Sequence, residues 1–295
     1  MADSTAPVTV VTGANSGIGR ATALHLASVG HRVVGTVRAE GKADKLLAKA
    51  EEQGVEVELA VLDVGDDDSV ASGFTEILER TGRVDHLVNN AGIGGNAVTE
   101  ETPTSMYLDV FDVNVCGAVR CVQAVLPQMR ERGNGTIVNL TSVAGRIAAL
   151  AQSPYVASKW ALEGVSEGLA QELAPFGIRV AIIEPGVTKS SIFAKNVDAP
   201  NSTGAYDAHY RRMFQFYAAG MAGATDAVEV GKVIEEAITT DEPKLRYPVS
   251  WGGAEMAGLH DRISDADWLE LGAIEDDDEY ARRFREIFDI DITTA

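Results

Sequence analysis

Short apolar runs and amphipathic stretches take turns along most of this chain. Residues 8–11, Val-Thr-Val-Val, form a β-branched run that predicts a strand. Helical spacing of apolar positions follows over about 20–28. The alternation continues, with strands predicted at 31–37, 55–62, 84–88, 136–140 and 178–183 and helices at 45–52, 69–80, 105–132 and 155–174. Short apolar strands separated by helices imply a parallel sheet covered on both faces. Right-handed crossovers then make an α/β fold with a doubly wound parallel sheet, the three-layer α/β/α Rossmann arrangement. Its ligand belongs at the carboxyl ends of the strands.

The pattern changes near residue 187. Ala199-Pro200-Asn201-Ser202-Thr203-Gly204 reads as a loop, and Tyr206, Tyr210, Phe214, Phe216 and Tyr217 crowd the segment after it. A helix is predicted at 227–239, a strand at 245–249 and an amphipathic helix at about 278–288. No repeat or linker interrupts the earlier part. The expected organisation is one domain over 1–252, with 253–295 as an extension packed on it.

Composition narrows the partners. The chain has 295 residues, 45% of them hydrophobic, enough for one large core. A formal charge of −19 argues against a nucleic-acid partner and describes an acidic, solvated surface. Asp66-Asp67-Asp68 and Asp276-Asp277-Asp278 read as helix starts or loops, and no metal site is assigned. Cys116 and Cys121 lack the partners of a metal set and read as core or interface residues in a reducing cytoplasm. The first residues lack the basic and apolar regions of a signal peptide. No uninterrupted apolar run reaches the roughly 18 residues of a membrane span. A cytoplasmic location and no membrane partner are therefore expected.

Candidate chemistry begins between the first strand and first helix, at Thr12-Gly13-Ala14-Asn15-Ser16-Gly17-Ile18-Gly19. Glycines in such a turn permit a close backbone approach, and a helix N-terminus stabilises phosphate. Gly13, Gly17 and Gly19, with Asn15, Ser16 and Ile18 between them, are expected to hold a dinucleotide pyrophosphate, Gly13 where a side chain would collide with phosphate. An acidic residue ending the second strand would hold the ribose of NAD. Here Thr36-Val37 stand there and Arg38 comes next. A guanidinium suits a 2′-phosphate, so the expected cofactor is NADP(H), with NAD(H) as the alternative.

Tyr155 and Lys159 are four residues apart, on one helix face, and Ser142 follows the strand at 136–140. A free phenol has a pKa near 10 (about one part in a thousand ionised at neutral pH). A neighbouring ammonium and a positive nicotinamide would favour the phenolate and fit it for acid–base work. The Ser142 hydroxyl would hold the substrate oxygen, and Lys159 would also bond the nicotinamide ribose.

With these motifs in order, the chain resembles a short-chain dehydrogenase/reductase of the single-domain kind over roughly residues 8–190. The resemblance implies a catalytic tetrad of Asn114, Ser142, Tyr155 and Lys159. In it, Asn114 bends a helix and anchors a water in a proton relay. The resemblance also gives Asp63-Val64 to adenine, Asn90, Ala91 and Gly92 to the cofactor wall, and Pro185, Gly186 and Thr188 to the carboxamide. Ala161-Leu162-Glu163-Gly164, Pro175-Phe176-Gly177 and Gly35-Thr36-Val37-Arg38 are similar to hydroxysteroid and retinol dehydrogenases. The implied activity is hydride transfer between NADP(H) and a ketone or secondary alcohol. A substrate lid over 187–225, with Phe193 among its six aromatics, would suit a bulky apolar small molecule or simply pack on the body. Gly94, Gly95, Asn96, Ile147 and Leu150 are expected to face the pocket opposite. Arg211 and Arg212 are either solvated or aimed at an acid group. The family's pairing through its two long helices implies a homodimer or homotetramer. The alternative is an NADP(H)-binding redox sensor without turnover.

Overall fold

The computed structural model describes residues 5–190, 200–259 and 263–293. Its centre is a sheet of β1 (Val8–Val11), β2 (Arg32–Val37), β3 (Val57–Val61), β4 (His86–Asn89), β5 (Gly135–Leu140), β6 (Ile178–Pro185) and β7 (Arg246–Val249). Their spatial order is β3-β2-β1-β4-β5-β6-β7, with every pair parallel. The order reverses beside β1, between β1 and β4. That is the switch point at which open α/β sheets bind ligands.

Six helices belong to the crossovers between strands: α1 (Gly17–Ser28), α2 (Asp44–Gln53), α3 (Asp67–Thr81), α4 (Thr104–Phe111), α5 (Gly117–Arg132) and α6 (Ser153–Leu173). Then come α7 (Asp207–Ala222), α8 (Ala227–Thr239), α9 (Gly253–Ala257), α10 (Asp265–Ala273) and α11 (Asp277–Phe288). Two large clusters sandwich the sheet. One joins α1 and α8 to it through Leu26, Ile234 and Ile238; the other joins α3 and α5 through Phe74, Val125 and Met129. β4 and β5 are buried along most of their length, as strands covered on both faces must be.

The helix expected over 105–132 is not uniform. Between α4 and α5, Asp112–Cys116 is a π-helical turn, and Asn114 lies within it, 2% exposed. Apolar spacing continues through this widened turn, so the pattern alone does not show it. The whole run Thr104–Arg132 has the length and hydropathy of a membrane span, which the expectation of no such run passes over. In the structure it packs as a covering helix, burying Cys121, Val122 and Met129, with Arg120 ion-paired to Asp67 and Asp112. The aspartate triplets are helix starts: Asp66 caps α3 and Asp276 caps α11, each accepting from a backbone amide.

The C-terminal extension packs on α7. α9, α10 and α11 share a cluster with Phe216, Ala219 and Trp251, centred on Phe284 and Phe288. Arg212 of α7 is only 4% exposed. It donates to Asp277 at 2.8 Å and to the carbonyls of Ile274 and Glu275 at 2.9 Å, and it stacks over the Tyr280 ring at 4.2 Å. Arg211 pairs with the same Asp277. Both arginines therefore serve the extension: Arg212 is buried in it, while Arg211 stays half-exposed to solvent as it pairs with Asp277.

Candidate active site

A cleft of about 560 Å³ runs along the carboxyl ends of the strands, from Arg38 at one end to Tyr217 at the other. Its nucleotide end is built by the turn between β1 and α1. Gly13, Asn15, Ser16, Gly17 and Ile18 line it. Gly13 and Gly17 hold φ of 67° and 53°, a left-handed backbone that side chains resist.

The glycines have a second reason that the sequence did not reveal. A Cβ on Gly13 would lie 3.0 Å from Ala91, and one on Gly19 would lie 2.2 Å from Asn90 Nδ2. That amide donates to the Thr12 carbonyl at 2.8 Å, while Thr12 Oγ1 accepts from the amides of Asn90 and Ala91 at 3.0 Å. The glycines thus let the turn close on the loop after β4. Side chains at Gly13 or Gly19 would strike that loop. Gly19 itself does not line the cleft; it makes room for Asn90, which does.

Beyond β2, Thr36 and Val37 are buried, and Arg38 stands exposed on the cleft wall. Lys42, which sequence reasoning missed, lines the same end four residues on. Its signal was a second basic residue after the strand. Asp63 and Val64 line the wall after β3, and Asn90, Ala91 and Gly92 the wall after β4. Pro185, Gly186 and Thr188 line it after β6. Thr188 is fixed by a 2.7 Å hydrogen bond with Ser250.

At the chemical end, Ser142, Tyr155 and Lys159 meet. Ser142 caps a short turn, Val143–Gly145, accepting from the Ala144 amide at 3.1 Å and donating to the Pro185 carbonyl at 3.3 Å. That ties the end of β5 to the end of β6. Lys159 is 6% exposed, donates to the Leu140 carbonyl at 2.8 Å, and sits 5.6 Å from the Tyr155 ring centre. Burial lowers its pKa to about 8, with Glu163 pulling the other way. Burial raises the Tyr155 phenol above its ordinary range, and a hydrogen bond with Ser142 opposes this. Burial thus works against the phenolate that Lys159 and a positive nicotinamide are expected to favour.

Asn114 stands behind the cleft wall. Its side chain accepts from the Ile93 amide at 2.8 Å and donates to the Ile93 carbonyl at 2.9 Å and to Ser158 at 3.0 Å. Both ends of the amide are held, which fixes the π turn to the loop after β4.

The substrate end is walled by Phe216 and Tyr217 of α7, with Met256, Ala149 and Gln152. Of the residues expected opposite, only Gly94 lines the cleft. Gly95 packs toward Pro154, Asn96 accepts the Tyr217 hydroxyl at 3.0 Å, and Ile147 and Leu150 join the cluster under the extension. Phe193 lies outside the described residues. Met256 and Gln152 carried no motif that could have flagged them.

A dinucleotide-sized cleft at the switch point, ending on a buried Tyr–Lys–Ser group, is an oxidoreductase site, and the family model described as short chain dehydrogenase matches residues 7–201. The chain belongs to the short-chain dehydrogenase family. It is 37% identical over 251 residues to 17-beta-hydroxysteroid dehydrogenase type 1 of Mus musculus, covering 81% of this chain and 72% of that one. A solved short-chain dehydrogenase from Streptomyces avermitilis matches with a TM-score of 0.80 and 36% identity, over 92% of this chain and 96% of the other. A single-substitution variant of actinorhodin polyketide ketoreductase, solved with NADPH, matches with a TM-score of 0.71 and 32% identity, over 81% and 92%. As a family member the chain is an oxidoreductase acting on CH–OH or keto groups.

Proposed function

We propose that this protein is an NADP(H)-dependent carbonyl reductase or secondary-alcohol dehydrogenase acting on a bulky apolar small molecule. The observation that carries this reading is the meeting of Ser142, Tyr155 and Lys159 at the end of a cleft that starts at the glycine turn. The cleft fits a dinucleotide. Exposed Arg38 and Lys42 at its far end would hold a 2′-phosphate, where no acidic side chain ends β2. The start of α1 would face the pyrophosphate, with Gly17 giving the close approach. Asp63 would meet adenine and Thr188 the carboxamide.

NADP(H), when bound, supplies or accepts the hydride at the substrate carbon. The protein handles the oxygen and the proton. In reduction, Ser142 orients the carbonyl oxygen and Tyr155 gives it the phenolic proton; in oxidation Tyr155 takes that proton back. Lys159, close to the ring and held by Leu140, stabilises the phenolate. Asn114 holds the backbone of the loop that flanks them. Phe216, Tyr217 and Met256 make the opposite wall largely apolar, which favours a hydrophobic ring system or chain over a sugar. Pairing through α5 and α6 into a homodimer or homotetramer belongs to the same reading.

Binding isotherms for NADPH and NADH, joined to turnover with a panel of bulky ketones, test it. NADPH should bind more tightly by about tenfold or more, the worth of charge-assisted hydrogen bonds to a phosphate. The double substitution Arg38→Ala, Lys42→Ala should erase that preference and leave NADH binding alone. A preference for NADH would overturn the cofactor assignment and keep the chemistry. Tight cofactor binding without turnover on any ketone would favour the sensor.

A further inference from the structure

Two buried carboxylates lie behind the reactive lysine, outside the cleft. Glu163 is one helical turn past Lys159 on α6 and 5% exposed; Glu184 is the residue before Pro185 on β6 and 1% exposed. Arg246 of β7 stands between them, its Nε 3.0 Å from Glu163 and 3.4 Å from Glu184. Its other end reaches Glu167, which is half-exposed on α6. Arg146, just after the Ser142 turn, comes only to 3.7 Å of Glu184, beyond hydrogen-bonding range. Among the described residues, Glu163 Oε1, Glu184 Oε1 and Arg146 Nε are all buried without a hydrogen-bond partner.

This group touches each segment that carries a reactive side chain. Glu163 shares α6 with Tyr155 and Lys159. Glu184 precedes the carbonyl of Pro185 that receives Ser142. The turn after Ser142 packs on α6 so closely that a Cβ on Gly145 would lie 3.0 Å from the Lys159 carbonyl and 3.1 Å from Glu163 Cγ.

The two carboxylates do not have equal partners. Glu163 Oε2 accepts from Arg246 at 3.0 Å. Glu184 has two distant cations only. Like charges this close disfavour double ionisation, so one carboxyl keeps a proton around neutrality. Burial raises both carboxyls, and Glu184, which lacks a hydrogen-bonded cation, is the one expected to take the proton first. Burial, then repulsion from Glu163, raises Glu184 to about 7.

We infer that Glu163 is a positioning residue: its carboxylate, buried one helical turn past Lys159 and fixed by Arg246, holds buried Lys159 in its ammonium form beside Tyr155. Without that anion, burial would strip the lysine of its charge at lower pH. The groups facing Lys159 are Tyr155 and Glu163 on its own helix and the Leu140 carbonyl from β5. Those facing Glu163 are Arg246 from β7, Glu184 from β6, and Thr141 and Arg146 from the segment after β5.

The role assigned to Lys159 rests on the oxidoreductase reading, so the test separates the two. Isotope-labelled lysine is followed by NMR against pH in wild type, Glu163→Gln and Glu184→Gln, with Lys159→Met identifying the signal. The wild-type midpoint should fall near 8. Glu163→Gln should move it down by about half a unit or more, and Glu184→Gln should move it far less. An unchanged midpoint in folded Glu163→Gln overturns the inference, whether or not a substrate is found. Where turnover is measurable, Glu163→Gln should shift the alkaline limb of the pH profile the same way. A uniform loss at every pH, with the limb in place, would mark Glu163 as structural and contradict the proposal.

Discussion

Tyr155 is partly buried at the end of the cleft, so its neighbours decide its chemistry. Burial lifts the phenol's pKa, Ser142 lowers it, and Lys159 sits over the ring. Removing the hydroxyl by Tyr155→Phe should cost turnover roughly 10²–10⁴-fold, the range of general acid–base catalysis. Cofactor binding should be retained, and parallel kinetics and isotherms check both halves. Gly19→Ala tests the reinterpreted glycine turn. Its Cβ would strike Asn90 at 2.2 Å and the Gly13 carbonyl at 2.6 Å, so the turn must shift. A stability loss of about 1–3 kcal/mol should follow, with weakened cofactor binding. Unfolding curves that overlay wild type would sink the account of that turn. The spacing of Tyr155 and Lys159 was legible because a four-residue step is fixed helix geometry. Glu163 with Glu184 was not, because no local pattern brings β6 and β7 behind α6.

At the scale of elements, apolar period and glycine position revealed all seven strands and most helices, since both report directly on backbone geometry. The π turn at Asp112–Cys116 escaped the pattern, because one extra residue barely disturbs an apolar face. α7, α9 and α10 are not predicted by it either: the α7 segment reads only as crowded with aromatics, and α9 and α10 are short and gain their burial by joining the cluster around α7 rather than from their own periodicity. α7 and the extension depend on one another through Arg212. Arg212→Met would leave two carbonyls without their donor and Asp277 with Arg211 alone. A loss of about 2–3 kcal/mol is expected, less than for a fully buried pair because Asp277 is partly exposed. Thermal melts should fall by several degrees. A poorer KM for bulky substrates, with kcat less affected, should accompany it, because Phe216 packs on Phe284 of the extension at 6.2 Å. An Arg212→Met protein that melts like wild type would refute this coupling.

Over the whole molecule, the site occupies one end of the sheet and a histidine group the other. His86 is held well below its ordinary value, at about 4 against 6.5, by burial first and then by His31, 5.6 Å away. The unfolded chain therefore takes up a proton on acidification that the folded protein refuses. This contribution is fully present above pH 6.5 and is lost as pH falls toward 4. The slope should approach about 1.4 kcal/mol per pH unit. Urea unfolding across that window should show it, and His86→Gln should flatten it; an identical slope in the variant would contradict the assignment. The central claim is hydride transfer to a carbonyl at the Tyr155 end of the cleft. Its most direct test uses NADPH deuterated at the transferable position, a bulky ketone and mass spectrometry of the alcohol. The account predicts deuterium on the carbinol carbon with wild type and almost none with Tyr155→Phe. Alcohol formed without the label, or labelled equally well by the variant, would contradict it.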